Sequence, residues 1–78
     1  APELVFPPDG AVVEVPGGAL VVKLRGGTPP FTWLASGAPI ALASRLRETT
    51  LPMPGPGFVT LSVIDAKGNS ASATISLR

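Results

Sequence analysis

Residues 59–77 read VTLSVIDAKGNSASATISL, and this stretch decides the fold class. Large apolar residues occupy every second position from 59 to 63, and Ser or Thr fills the positions between them. The same alternation returns after residue 70, with Ser and Thr on one side and Ala, Ile and Leu on the other. A period of two predicts half-buried strands. Asp65 to Asn69 form a short loop in which Gly68 can adopt a positive φ, so the stretch predicts an antiparallel hairpin.

Outward from this hairpin, proline and glycine divide the chain into short pieces. The 78 residues include ten Pro and nine Gly. They cluster at residues 7–10, 16–18, 26–30 and 52–57. Such clusters mark turns, and the pieces between them are rich in the Val, Ile, Leu and Thr that suit a pleated surface. Residues 19–25 have the clearest pattern, because Leu20, Val22 and Leu24 all fall on one side.

Weaker strands complete a β-rich pattern. They are expected at residues 3–6, 12–15, 31–35 and 45–51. Only residues 41–48 have helical propensity, but they lack an apolar stripe, so a turn followed by a strand is favoured there. We therefore predict an all-β fold, an immunoglobulin-like antiparallel β-sandwich of about seven strands that forms a single domain over residues 1–78.

The single tryptophan provides a candidate for the centre of this sandwich. Trp33 lies between Phe31 and Leu34 in a predicted strand. A buried Trp on the third strand is a hallmark of immunoglobulin-like sandwiches. We favour a core position for Trp33 over the alternative, in which its ring stacks on a ligand.

The composition restricts the possible functions. The chain has no Cys and no His, so it lacks disulfides, thiolate zinc sites and the commonest general base. A net charge of +1 is far from the basic surface that nucleic acid requires. No apolar run approaches the ~20 residues that cross a bilayer. We expect no cofactor, no metal site, no nucleic-acid partner and no transmembrane segment in this fragment.

The sequence also predicts no catalytic residue. Lys23 and Lys67 are expected in solvent, where they cannot activate a nucleophile. Asp9 and Asp65 lie in predicted turns, where Asp is common for structural reasons. A catalytic pair of carboxylates, as in glycosidases, would need a cleft, and we expect so small a domain to have none. The proline-rich segment at residues 52–56 is interpreted as a stiff connection, with a polyproline ligand as its alternative.

One charge pattern suggests an interaction patch. Lys23 and Arg25 share the outward face of one predicted strand, and Arg45 and Arg47 share a face of another. These two strands are often neighbours in immunoglobulin-like sheets, so four of the six cations could form one patch. Such a patch would attract acidic cell-wall polymers, anionic lipid or a protein partner. The alternative is an ordinary solvated face.

Several motifs follow the order and spacing of a known family. They are PELVFPPDG at residues 2–10, FTWLASG at residues 31–37, GFVTLSVID at residues 57–65 and GNSAS at residues 68–72. Over nearly its whole length the chain resembles the C-terminal domain of bifunctional, class A penicillin-binding proteins of the 1C type. The motif residues carried over are core and turn positions rather than catalytic ones. They are Trp33, Gly37, Gly57, Asp65 and Gly68.

This resemblance implies a periplasmic module that follows the glycosyltransferase and transpeptidase domains of a parent anchored in the inner membrane. We expect a non-catalytic accessory domain that docks a periplasmic protein partner, neighbouring domains of the parent or peptidoglycan. The start at Ala1, with no Met or leader, favours a fragment of a larger protein. The alternative is an adhesion or carbohydrate-binding module of a bacterial surface protein, and a small hydrolase is a third hypothesis.

Overall fold

The computed structural model describes residues 2–53 and 55–78, which contain eight strands and a single 3-10 turn at Pro16–Gly18. The strands are β1 (Glu3–Phe6), β2 (Val12–Val13), β3 (Ala19–Arg25), β4 (Phe31–Ala35), β5 (Ala38–Ser44), β6 (Glu48–Pro52), β7 (Gly57–Ile64) and β8 (Ser70–Leu77). The described residues form no α-helix. The all-β prediction is confirmed.

The strands form two sheets. One has three strands in the order β1-β3-β6, and the other has five in the order β2-β8-β7-β4-β5. All pairs are antiparallel except β2 with β8, which run parallel. The N-terminal segment therefore supplies an edge strand to each sheet in turn. The arrangement confirms the immunoglobulin-like sandwich.

The predicted C-terminal hairpin is the most extensive pairing in the fold. β7 and β8 pair along their full lengths, with Val59 opposite Ile75 and Val63 opposite Ala71. The loop between them places Gly68 at φ +85°, and Asp65 N–H donates to the Asn69 carbonyl at 2.8 Å. The hairpin and its turn are as the alternating pattern predicts.

The core lies between the sheets and contains the inward side chains of both. Trp33 and Phe31 on β4 have no exposed surface, which confirms the core position of Trp33. The remaining buried apolar residues are Leu20, Val22, Leu24, Ala35, Leu51, Val59, Leu61, Val63, Ala73, Ile75 and Leu77. Trp33 Nε1 finds no hydrogen-bond partner among the described residues, so the indole stabilises the fold by apolar packing alone.

The strand predictions were wrong between residues 38 and 51. Residues 38–44 form β5, which the sequence did not indicate, and the strand expected at residues 45–51 begins only at Glu48. β5 lacks a period of two because it is an edge strand with irregular pairing, and Ala43 has φ +55°. At the other edge of this sheet, β2 spans only the first half of residues 12–15.

Replacing Trp33 tests the core directly. Trp33→Ala should lower the free energy of unfolding by about 3–5 kcal/mol, because it leaves a cavity between the sheets. Phe58→Ala is the matched control, since Phe58 is 84% exposed and its loss should change stability by about 0.5 kcal/mol or less. Urea denaturation followed by circular dichroism measures both. Equal midpoints for the two variants would contradict the packing described.

Candidate functional site

The outer face of the three-stranded sheet presents two of the predicted cations. Alternation along β3 directs Lys23 and Arg25 outward, because the residues between and before them are buried. Lys23 Nζ lies 3.7 Å from Glu48 Oε1, and Arg25 Nη1 lies 4.0 Å from Glu3 Oε1. All four side chains are more than half exposed, so each ion pair contributes about 1 kcal/mol or less to the free energy of unfolding. These cations remain accessible to a partner.

Arg47 has a structural contact instead of a free side chain. Its Nε and Nη2 donate to the carbonyls of Gly26 and Gly27 at 3.3 and 2.9 Å. The guanidinium lies over the buried Phe31 ring, 5.5 Å from the ring centroid. The Arg47 carbonyl accepts a hydrogen bond from Leu24 N–H at 2.6 Å, so the segment continues alongside β3. Arg47 therefore covers one end of the core.

The four predicted patch residues are thus partly brought together. Lys23 and Arg25 share one face, and the backbone of Arg47 adjoins β3 next to them. Arg45 is exposed between β5 and β6 and makes no hydrogen bond or ion pair within the described ranges. Whether these cations bind a partner stays a prediction.

Asp65 is the one buried acid among the described residues, with 6% exposure. Its Oδ1 accepts the N–H groups of Lys67 and Asn69 at 3.0 and 2.9 Å, and its Oδ2 accepts the N–H of Thr28 at 3.2 Å. Burial raises the pKa of Asp65, but these hydrogen bonds, with the Asn69 side chain, lower it by more and leave it below its ordinary value. The carboxylate ties the β7–β8 turn to the loop before β4.

Asp9 has a comparable role beside the middle of β8. Its Oδ1 accepts the N–H of Thr74 at 2.7 Å, and Gly10 N–H donates to the Thr74 carbonyl at 2.8 Å. The N-terminal turn is thereby fastened to the sheet. The described residues hold no cluster of three or more acids that could bind a metal ion, and they include no helix long and apolar enough to cross a membrane.

A groove beside Asp9 includes an exposed aromatic residue, Phe58, among its lining residues. It has a volume of about 360 Å³ and is lined by Asp9, Gly10, Val12, Phe58, Thr74, Ile75 and Ser76. Phe58 stands almost fully exposed on β7. The signal was present in the sequence, because an inward Val59 requires an outward Phe58 in a strand of period two.

Comparison with known families finds a match over nearly the whole chain. A family model described as the penicillin-binding protein C-terminus family matches residues 1–76. The chain belongs to this family. No curated protein and no solved structure matches it significantly. The family is confirmed, the 1C type stays a prediction, and membership indicates an extracytoplasmic location.

In this member of the penicillin-binding protein C-terminus family, the motif residues serve the fold. Trp33 fills the core, Asp65 accepts three backbone N–H groups, and Gly68 supplies the positive φ of the hairpin turn.

The hydrogen bonds of Asp65 predict a loss of stability in acid. Because its pKa is lower in the folded chain than its ordinary 3.8, the stabilisation is complete above that value and disappears as pH falls through the folded pKa. Wild type should therefore exceed Asp65→Asn in stability at neutral pH, and the difference should shrink in acid. Urea midpoints measured from about pH 7 to about pH 2 test this expectation.

Glu14→Gln is the control for this experiment. Glu14 is exposed and makes no hydrogen bond or ion pair within residues 2–53 and 55–78, so its replacement should leave the neutral-pH midpoint unchanged. A constant difference between wild type and Asp65→Asn at every pH would show that the charge of Asp65 does not stabilise the fold.

Proposed function

We propose that this chain is a non-catalytic accessory domain of a bifunctional peptidoglycan glycosyltransferase and transpeptidase, and that it acts in the periplasm. Membership of the penicillin-binding protein C-terminus family supports this parent. Residues 1–78 would form one domain of a longer protein anchored in the inner membrane. The domain would position the parent or dock it to a partner.

The proposal that the domain is non-catalytic is supported by one observation: four of its five Asp and Glu side chains have partners within the fold. Asp65 and Asp9 hold backbone N–H groups, while Glu3 and Glu48 face cations of β3. Acid–base catalysis needs carboxylates that converge on a substrate and exchange protons with it. Here these four acids lie at separate turns and edges of the sandwich and do not converge on one cleft.

The cation face of the three-stranded sheet is the docking surface in this proposal. We define it by Lys23 and Arg25, because the Arg47 guanidinium is held by the Gly26 and Gly27 carbonyls and Arg45 lies outside the sheet, between β5 and β6. Its two ion pairs are long and exposed, so they cost little to exchange for the carboxylates of a partner. We therefore propose that the cation face binds an acidic surface, either on a periplasmic protein or on a neighbouring domain of the parent.

Removing the domain from the parent tests the accessory role. A purified parent that lacks residues 1–78 should keep its glycan polymerisation and cross-linking rates, because the domain supplies no reacting group. Turnover of lipid-linked peptidoglycan precursor measures both activities. Loss of either activity in a truncated parent whose catalytic domains remain folded would contradict the proposal, as would hydrolysis of peptidoglycan by the isolated chain.

Charge reversal tests the docking surface. The double variant Lys23→Glu and Arg25→Glu should fold like wild type but bind the partner more weakly, and the binding of wild type should weaken as salt is added. Lys67→Glu is the matched control, because Lys67 lies in the hairpin turn and is exposed. Surface plasmon resonance against the truncated parent and against periplasmic extract measures the affinities. Equal binding by all three proteins would remove the cation face from the proposal.

A further inference from the structure

The groove on the five-stranded sheet combines an aromatic ring with hydroxyl groups in a regular array. Phe58 on β7 lies opposite Ser76 on β8, and Ser76 lies opposite Val12 on β2. These three outward residues form one row across the sheet. Neighbouring strands are about 4.8 Å apart, so the row spans about 10 Å, which suits two linked sugar rings.

A second row lies beside the first. Thr60 and Thr74 face each other across β7 and β8, with 3.4 Å between their Oγ1 atoms. Asp9 continues this row, because its Oδ1 is bound to Thr74 N–H and its Oδ2 has no hydrogen-bond partner within the described chain. The groove thus presents hydroxyl groups and one carboxylate oxygen to a ligand.

The charge of the lining restricts the ligand. Among the described residues that line the groove, Asp9 alone is ionisable, so the charge of the site is negative and opposite to that of the cation face on the other sheet. The exposed Phe58 ring offers an apolar platform, and Val12, 57% exposed, offers a second apolar contact. A neutral ligand with an apolar face and hydroxyl groups around its rim matches this lining.

We propose that the groove binds a neutral, N-acetylated saccharide chain. The C–H face of one pyranose ring stacks on Phe58, and its hydroxyl groups bond to Ser76 and Thr74. The acetamido group of the next sugar donates its N–H to Asp9 Oδ2 and packs its methyl group on Val12. This site lies on the five-stranded sheet and the cation face lies on the three-stranded sheet, so an experiment can disprove either proposal without affecting the other.

The hexamer of β-1,4-linked N-acetylglucosamine is the probe that tests this site. When it is titrated into the 78-residue chain, saturable NMR shifts are expected at Val12, Phe58, Thr74 and Ser76. Phe58→Ala should weaken binding by about tenfold or more, because it removes the stacking platform. Phe58→Trp should retain binding, and isothermal titration calorimetry gives the affinities. Cellohexaose, which lacks acetamido groups, should bind several-fold more weakly.

Leu42→Ala is the matched control, since Leu42 is a large exposed apolar residue on β5 and should not affect binding. Thermal melts establish that each variant is folded. Three results would overturn the proposal: no saturable shift with the hexamer, unchanged affinity in Phe58→Ala, or self-association through Phe58 without saccharide binding. Equal affinity for cellohexaose would overturn the acetamido contacts.

Discussion

Packing of the β7–β8 hairpin against Trp33 is the interaction on which the rest of the structure depends. Trp33 pairs directly with Val63 in the five-stranded sheet, and its ring fills the space below the three-stranded sheet. With no cysteine in the chain, no disulfide links the two layers. Apolar burial must therefore offset the conformational entropy that the chain loses on folding, and the net stability of a domain of this size is small.

Polar side chains stabilise the connections that the core cannot reach. Asp65 joins the hairpin turn to Thr28, Asp9 joins the N-terminal turn to Thr74, and Arg47 joins the approach to β6 to the turn before β4. Each contact spans at least 20 residues of sequence. These three charged side chains therefore connect loops of the sandwich to one another.

The two sheets present different surfaces to their surroundings. The three-stranded sheet carries the cations of β3 with their exposed acidic neighbours, whereas the β7–β8 side of the five-stranded sheet carries Ser, Thr and one exposed Phe. The two proposals thus assign different faces of the sandwich to a charged partner and to a neutral ligand.

The sequence by itself determined the fold class, the hairpin and the core position of Trp33, because a period of two and a glycine turn are local properties of the chain. It also carried the family motifs. Only the tertiary structure shows which strands lie at the edges of the sheets. It also shows that the Arg47 side chain lies over Phe31 at one end of the core and that Phe58 and Asp9 line the same groove. These features depend on contacts between residues distant in sequence, and for β5 the irregular edge pairing removes the local signal altogether.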